Sequence, residues 1–264
     1  MRTRQPDRPG TRRSAPPRGD IPRSSGDLLY GRNAVAEALR GRRRHRQLLL
    51  AEGIKEDDRI RRLIDAARTA GIPIIRLPRT ELDRRTHFAN HQGVALETTS
   101  YPYAPLDDVL ATSGTVLILD HLQDPQNLGT LLRAAEATGV TGVVIPRHRA
   151  AEVTPAVVNA SAGAVEHLTV CQVPNLVRAI EELKRAGWWI AALDTGADTH
   201  NLFETELPAP LALIIGSEGT GISPNVRRHS DLVLAIPMTG RIASLNAATA
   251  GAVVLFELLR RARA

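Results

Sequence analysis

The sequence predicts an α/β protein in which helices cover both faces of a mostly parallel sheet, preceded by a smaller α/β unit. From residue 115 onward, short apolar segments alternate with amphipathic ones, an order typical of the strand and helix units that build parallel sheets. Several apolar segments, such as 115–119 and 211–216, are nearly uninterrupted runs of Val, Ile, Leu and Ala. Such runs suit strands that are buried on both faces.

Composition and proline placement divide the 264 residues into four segments. The first 27 residues carry seven Arg and three Asp among Pro, Gly and Ser. Such a segment buries too little apolar surface to offset the entropy cost of ordering, so we expect disorder. Pro102 and Pro105 indicate a linker farther along the chain. The predicted segments are a basic tail (1–27), a first folded unit (28–101), a linker (102–112) and a second folded unit (113–264).

The first folded unit has the pattern of helices and strands in alternation. A helix over 31–41 carries Val35 and Leu39 at helical spacing and stops at Gly41. A second helix is marked by apolar residues three and four positions apart, namely Ile60, Leu63, Ile64 and Ala67. The predicted strands of this unit are 47–51, 72–75 and 93–99.

The second unit repeats this alternation over a longer stretch. Ser244 is suited to cap the last helix, which opens with many small residues and should therefore lie close to another part of the chain. On the first helix, Asn127 and Arg133 can share the face opposite the leucines. The predicted strands are 115–119, 142–146, 169–173, 188–193, 211–216 and 231–238, and the predicted helices are 127–138, 153–165, 175–186, 224–229 and 244–262.

Charge and composition limit the classes of partner. The formal net charge of +6 and the pI near 10.3 favour a polyanion, because Lys and Arg neutralise phosphates. Aromatic residues are only 3% of the chain, too few for a surface built on base stacking. The single Cys171 excludes a disulfide framework and a thiolate-rich zinc site. No apolar segment approaches the length that crosses a bilayer, so we expect a cytoplasmic protein without membrane contact.

Three separated stretches carry the distinctive residues of the second unit. The first, Asp120–Ala135, has Asp124-Pro125 just after a predicted strand, where open α/β sheets usually bind ligands. The second, Leu213–Ser223, is rich in glycine and lets backbone groups approach a flat ligand closely. The third, Asp231–Phe256, joins an apolar strand to the last helix. The common dinucleotide and nucleoside-triphosphate motifs are absent from the sequence.

Together, in this order and spacing, the three stretches resemble the signature motifs of the SpoU (TrmH) family of RNA ribose 2'-O-methyltransferases. The resemblance implies a SPOUT-type fold whose C-terminal part forms a trefoil knot, a topology that no sequence pattern suggests by itself. It also implies S-adenosylmethionine as the methyl donor and a homodimer that builds the site between two protomers. No metal is expected, because the leaving group is a neutral thioether.

The same resemblance assigns residues, position by position. Arg133 corresponds to the family's proposed base, but a guanidinium normally stays protonated, so we favour a phosphate clamp. Asn127 and Ser244 would position the nucleotide, and Glu218 would hold Arg133 or the backbone of the knot. His121 is the rival base, since an imidazole can accept a proton near neutral pH. The implied functional residues are Asn127, Arg133, Glu218, Ser244 and Asn246, and the implied cofactor-binding residues are Gly216, Ile236, Met238 and Leu245, with the 193–197 loop nearby.

The first unit resembles the substrate-binding domain found in one branch of this family. The resemblance rests on Tyr30-Gly31-Arg32-Asn33-Ala34-Val35 and on His91-Gln92-Gly93-Val94. It implies that the first unit binds RNA. The tail lies outside the resemblance, and its composition fits either an inert extension or a basic arm that contacts RNA. The densest basic cluster of the unit is either an RNA-binding surface or a solvated loop. Its members are Arg40, Arg42, Arg43, Arg44 and Arg46.

The resemblance therefore implies an RNA (guanosine-2'-O-)-methyltransferase that acts on 23S ribosomal RNA. Transfer RNA is an alternative substrate. A non-catalytic RNA-binding protein of ribosome assembly is an alternative of a different class. A thiopeptide-resistance methyltransferase, acting on an adenosine of the same RNA, is a further alternative whose relatives match the first motif less well.

Overall fold

A computed structural model describes residues 26–196, 198–242 and 244–263 of the chain. The predicted tail therefore lies outside the described residues, except for Gly26 and Asp27. Asp27 already belongs to a strand, so ordered structure begins before the predicted boundary.

The first unit is a four-stranded mixed sheet with helices. The strands are β1 (Asp27–Tyr30), β2 (His45–Ala51), β3 (Ile74–Leu77) and β4 (Val94–Thr98), in the order β1-β4-β2-β3. Strand β4 is antiparallel to both of its neighbours, and β2 and β3 are parallel. The helices are α1 (Arg32–Ala38), α2 (Asp58–Thr69) and α3 (Arg79–Arg85).

Two elements of this unit were not predicted, and both are short. Strand β1 has four residues directly after the tail, too few for a periodic pattern. Helix α3 buries only Leu82, so it lacks the repeating apolar positions that identify an amphipathic helix.

The second unit is a parallel sheet of seven strands, which confirms the predicted fold class. The strand order is β7-β6-β5-β10-β8-β11-β9, and every pairing is parallel. The strands are β5 (Thr115–Asp120), β6 (Gly142–Pro146), β7 (Val170–Val173), β8 (Trp189–Leu193), β9 (His200–Asn201), β10 (Leu211–Gly216) and β11 (Leu232–Ala235). The helices are α4 (Leu106–Leu110), α5 (Pro125–Ala137), α6 (Pro155–Ala160), α7 (Leu176–Arg185), α8 (Pro224–Arg228) and α9 (Ala247–Ala262), with a 3-10 helix at Ala164–His167.

Helices on both faces explain the uninterrupted apolar strands. Leu117 and Ile215 belong to a core that includes residues of α5, α6 and α9. Their neighbours in sequence, Ile118 and Ile214, belong to a second core with residues of α7 and α8. Successive residues of a strand point to opposite faces, so a sheet with two cores needs apolar residues at every position.

Three predicted features differ from the structure. The helix expected over 153–165 ends at Ala160, because Ala162 and Gly163 adopt positive φ angles of 53° and 89° that no α-helix contains. The linker predicted at 102–112 contains α4, whose Val109 is fully buried in the second core. Ser244 does not cap α9, since the helix begins at Ala247 and Asn246 caps it.

The remaining expectations from composition concern Cys171 and the membrane. Cys171 lies in β7 and is buried, and burial raises the pKa of its thiol to about 11. Within the described ranges, no helix combines the length and apolar character that crossing a bilayer requires.

A substitution at Gly129 tests how closely α5 packs against the end of α6. A Cβ at this position would lie 2.4 Å from the Ala160 Cβ and 2.9 Å from the Ser161 nitrogen. We expect Gly129→Ala to lower the free energy of unfolding by about 1–3 kcal/mol, because overpacking outweighs the better helix propensity of Ala. Urea denaturation measures the change. Thr130→Ala, at the exposed neighbouring position, is the control, and a Gly129→Ala protein as stable as this control would contradict the packing.

Candidate active site

The three motifs meet at one edge of the parallel sheet. Strands β5 and β10 are neighbours and end together, with Asp120 opposite Gly216. Strand β11 lies on the same side of the sheet beyond β8, and the chain returns from it to α9. Because carboxyl ends of parallel strands share an edge, the loops that follow these strands lie side by side.

The side chain of Asn246 joins the three motifs. Its Oδ1 accepts hydrogen bonds from the backbone nitrogens of Ala248 at 2.9 Å and Thr249 at 3.1 Å, which caps α9. Its Nδ2 donates to Asn127 Oδ1 at 3.0 Å and also to the Glu218 carboxylate. A single carboxamide therefore connects the first, second and third motifs.

Asn127 is itself placed by the start of α5. The Asp124 side chain caps this helix by accepting hydrogen bonds from the backbone nitrogens of Gln126 at 3.2 Å and Asn127 at 3.1 Å. Pro125 occupies the first turn, where its missing N–H costs no hydrogen bond. The Asp124-Pro125 pair thus sets the position from which Asn127 reaches Asn246.

A cavity of about 470 Å³ lies beside these contacts. Its apolar part is formed by Leu193, Ile215 and Ile236, and polar groups surround that part. Such a mixture suits a ligand that has a flat base and a polar sugar. Gly216, Ile236, Met238 and Leu245, the predicted cofactor-binding residues, all line this cavity, as do Asp194, Thr195, Ser217, Glu218, Gly219, Gly221, Ser244, Asn246, Ala247 and Ala250.

The glycines of the second motif form a tight turn at the cavity wall. A Cβ on Gly216 would lie 2.2 Å from the carbonyl carbon of Gly221, so only glycine fits there. Ser217 and Gly221 exchange two backbone hydrogen bonds of 3.1 and 3.0 Å, which closes a tight turn. Gly219 and Gly221 take positive φ angles of 88° and 65° within this turn. The turn brings backbone groups, and not bulky side chains, to the cavity wall.

Asp194 is a cavity residue that the motif assignment left out, although the 193–197 loop was expected nearby. Its Oδ2 accepts a hydrogen bond of 3.0 Å from Arg227 Nε, and its Oδ1 accepts one of 2.8 Å from the backbone nitrogen of Thr195. Its position directly after a strand of the parallel sheet was the available signal.

Arg133 stands apart from this arrangement. It is exposed on α5, six residues or about 9 Å along the helix axis from Asn127, and it does not line the cavity. Within 26–196, 198–242 and 244–263, no side chain pairs with its guanidinium. Of the two partners expected for Glu218, Arg133 or the backbone of the knot, the described residues show no contact with Arg133, and Glu218 accepts a hydrogen bond from Asn246. Arg133 therefore presents a cation near the site without an internal partner.

His121, the rival base, faces away from the cavity that holds the motif contacts. Its Nδ1 contacts the carboxylate of Asp120, which is 1% exposed. The other oxygen of Asp120 accepts a hydrogen bond of 2.6 Å from the backbone nitrogen of Ser223. Asp120 was not predicted as a site residue, although a carboxylate at the end of an apolar strand was a visible signal.

Arg43 has a structural role, and its assignment to an RNA-binding surface is wrong. It is 4% exposed, and its Nε donates to both oxygens of Glu166 at 2.9 and 3.1 Å. It also forms an ion pair with Asp27 and lies 5.1 Å from the ring centroid of Tyr101. Burial raises the pKa of Glu166, and the Arg43 guanidinium opposes that rise.

The rest of the basic cluster is exposed. Arg40 pairs with Glu37 at 2.9 Å, and Arg42 donates to Thr169 Oγ1 at 3.3 Å. Arg44 and Arg46 are also exposed. The cluster thus consists of a buried arginine between the two units and four arginines at the surface.

Models of two known protein families match the two units of the chain. The model of the SpoU rRNA Methylase family matches residues 114–256, and that of the RNA 2'-O ribose methyltransferase substrate-binding domain matches residues 28–104. The chain belongs to the SpoU family of RNA methyltransferases. The family match covers all three motifs and both sheets.

Similar sequences carry names of the same kind. A TrmH family tRNA/rRNA methyltransferase of Bacillus subtilis is 39% identical over 243 residues, which cover 89% of this chain and 96% of that protein. A tRNA/rRNA methyltransferase of Synechocystis is 39% identical over 241 residues. In that pair the match covers 89% of this chain and 62% of the Synechocystis protein, so this chain spans less than two thirds of it.

Solved structures share the fold. The SpoU methyltransferase AviRb from Streptomyces viridochromogenes, solved in complex with AdoMet, has 26% identity and a TM-score of 0.77. That match covers 94% of this chain and 95% of AviRb. An rRNA methyltransferase from Sinorhizobium meliloti has 23% identity and a TM-score of 0.76, with 90% and 88% coverage.

A double substitution tests the Asn246 contact. Asn246→Asp keeps the oxygen that caps α9 but places a carboxylate against Glu218, so we expect the free energy of unfolding to fall by about 1–3 kcal/mol. Adding Glu218→Gln restores a donor between the two side chains. Urea denaturation of both single variants and the double variant should give a favourable coupling of about 0.5–3 kcal/mol. Strictly additive effects would show that the contact does not operate in solution.

Arg43 and Arg44 form a matched pair for the second test. We expect Arg43→Met to cost about 3–5 kcal/mol of unfolding free energy, because it leaves the buried Glu166 carboxylate without its partner. Arg44→Met, at the exposed adjacent position, should change stability by less than about 0.5 kcal/mol. The measurement is again urea denaturation. Equal stability of the two variants would mean that Arg43 is not the buried partner of Glu166.

Proposed function

We propose that the chain transfers a methyl group to a ribose 2'-hydroxyl of RNA, with a guanosine of 23S ribosomal RNA as the target. The observation that carries the proposal is the meeting of Asn127, Glu218 and Asn246 beside a cavity of about 470 Å³. Each of these side chains comes from a different motif of the family. A site assembled from all three suits a reaction that must align two substrates.

S-adenosylmethionine is the methyl donor in this proposal, and no metal is involved. Bound in the cavity, it supplies a methyl group on a positively charged sulfur. The residues fit such a ligand, because Gly216 allows the tight turn that forms one cavity wall and Leu193, Ile215 and Ile236 offer apolar contact. Backbone groups of Gly216, Ile236 and Leu245 would hold the adenine and ribose, with Met238 beside them.

The RNA nucleotide is held by the side chains on the α5 side of the cavity. Asn127 and Ser244 would orient the ribose so that its 2'-oxygen faces the cavity. Arg133, exposed and without an internal partner in the described ranges, would bind the adjacent phosphate as a fixed positive charge. Glu218 acts indirectly in this scheme, because its hydrogen bond holds Asn246 in position. The protein thus contributes alignment and charge.

The proposal includes the domain layout and the assembly. A substrate RNA-binding domain occupies 28–101 and a knotted methyltransferase domain 113–264, and α4, in the stretch expected to be a linker, packs on the core of the second domain. The exposed members of the basic cluster, Arg40, Arg42, Arg44 and Arg46, would contact RNA phosphates. The protein acts in the cytoplasm as a homodimer, and a second protomer completes the surface around Arg133.

Transfer RNA is the alternative substrate. It is favoured by the names of the similar sequences, which give tRNA and rRNA together. Mapping 2'-O-methyl groups in the RNA of cells with and without this gene separates the two. A lost methyl group in 23S ribosomal RNA supports the proposal, and one in transfer RNA supports the alternative.

Arg133→Ala separates RNA positioning from cofactor binding. We expect at least a hundredfold loss of methyl transfer to ribosomal RNA, because the phosphate clamp is removed while the cavity is untouched. Affinity for S-adenosylmethionine, measured by calorimetry, should stay within about twofold, since the proposed contacts lie elsewhere.

Arg178→Ala, an exposed arginine on α7, is the matched control and should retain transfer. Loss of cofactor affinity in Arg133→Ala would contradict the assignment. If the unaltered protein binds ribosomal and transfer RNA but labels neither, the assembly-protein alternative is supported instead.

A further inference from the structure

A second cavity, of about 680 Å³, lies at the same edge of the sheet as the first. It is formed where β5, β6 and β7 end, together with the beginning of α8. Nothing in the proposed reaction uses it. Its lining residues are His121, Pro146, His148, Arg149, Pro174, Asn175, Leu176, Val177, Ser223, Asn225 and Val226.

The two cavities lie on either side of one loop. Residues 216–219 and Gly221 of this loop line the first cavity, and Ser223 lines the second. The buried Asp120 fixes the boundary, because its carboxylate accepts a hydrogen bond of 2.6 Å from the Ser223 nitrogen and also contacts His121 Nδ1. A chain that crosses this loop would therefore occupy both cavities at once.

The side chains that line the second cavity favour a negatively charged ligand. Its ionisable side chains are His121, His148 and Arg149, and none of its lining residues is an Asp or Glu. His148 and Arg149 are exposed, and in the part of the chain that the structure describes neither side chain has a hydrogen-bond or ion-pair partner. The contact of His121 Nδ1 with Asp120 leaves Nε2 as the nitrogen that can bind a further group. His148 and Arg149, which have no carboxylate partner in the described part of the chain, suit a phosphate together with Nε2 of His121, whose other nitrogen contacts Asp120.

The backbone at the cavity is held in an uncommon conformation. His121 and Arg149 have positive φ angles of 56° and 57°. Apart from glycine, residues rarely adopt this region, and asparagine, aspartate and histidine do so more often than arginine. Residues in such conformations cluster at functional sites. Both strained positions carry cationic or potentially cationic side chains into the lining of one cavity.

We propose that the second cavity binds a nucleotide of the substrate RNA other than the one that is methylated. His121, His148 and Arg149 bind its phosphate, and the side-chain nitrogens of Asn175 and Asn225 face its base. The oxygens of these two carboxamides already accept hydrogen bonds from the Arg178 backbone nitrogen and from the Arg228 guanidinium. The volume of about 680 Å³ lies within the usual range for sites that enclose a small ligand. The inference rests on the proposed function, because it takes the ligand to be part of an RNA strand that also reaches the first cavity.

Arg149→Asn is the test variant, since asparagine tolerates a positive φ and loses the charge. Arg147→Asn is the matched control, an exposed arginine in the same loop that does not line the cavity. Affinity for purified ribosomal RNA is measured by filter binding at several salt concentrations, without S-adenosylmethionine. We expect Arg149→Asn to weaken binding about tenfold and to lower the salt slope by about 1, whereas Arg147→Asn stays within about twofold.

Unfolding in urea and affinity for S-adenosylmethionine are measured on both variants, and both quantities should be unchanged. A second variant, His148→Asn, should weaken RNA binding in the same direction. Equal effects of Arg149→Asn and Arg147→Asn on RNA affinity would overturn the inference. So would tight binding of free guanosine 5'-monophosphate at Arg149 with no effect of the substitution on RNA, because the ligand would then be a small nucleotide.

The outcomes for the two proposals are separable. If the unaltered protein methylates ribosomal RNA and Arg149→Asn binds RNA as the control does, only the second cavity is wrongly assigned. If the unaltered protein binds ribosomal RNA without methylating it while Arg149→Asn still weakens binding, the cavity assignment stands and the proposed reaction fails.

Discussion

The carboxamide of Asn246 is the contact on which the candidate active site depends. Its partner Asn127 is 119 residues away in sequence and Glu218 is 28 residues away, yet all three side chains meet. A carboxamide can do this because it carries an acceptor and two donors on one short side chain. The oxygen caps the start of α9 by accepting two backbone hydrogen bonds, and the nitrogen donates hydrogen bonds to the other two motifs. An aspartate would lack the donors, and a serine would lack the reach.

Much of the second unit could be predicted, because a strand that is buried on both faces is a nearly uninterrupted run of apolar residues in the sequence. Strand β10 has the bounds that were predicted for it, and β5 and β6 begin at their predicted residues. The cap of α9 could not be predicted in the same way. Ser244 and Asn246 are both good capping residues, and only the course of the loop before the helix decides between them.

The burial of the Arg43 charge is the feature of the structure that the sequence indicated least. Arg42, Arg43 and Arg44 are consecutive and chemically identical, but only Arg43 is buried. Its partner Glu166 lies 123 residues later, in a 3-10 helix whose first two residues were predicted to end the helix over 153–165. The second cavity was hidden for a similar reason, since His121 and Arg149 come from two different loops and Asn225 from α8, with no shared motif.

The buried Arg43–Glu166 pair also links the two units rigidly. Arg43 belongs to the first unit and Glu166 to the second, and the Tyr101 hydroxyl donates to the carbonyl oxygens of Val165 and Leu168 at 3.0 Å beside them. This contact resists movement of one unit relative to the other, because separating the pair would leave a buried charge without its partner, at a cost in free energy. In the proposed function, an RNA element bound by the first unit would then lie at a constant distance from the site of methyl transfer. The contact between the units would then help to select the target nucleotide by its distance from the bound RNA element as well as by its base.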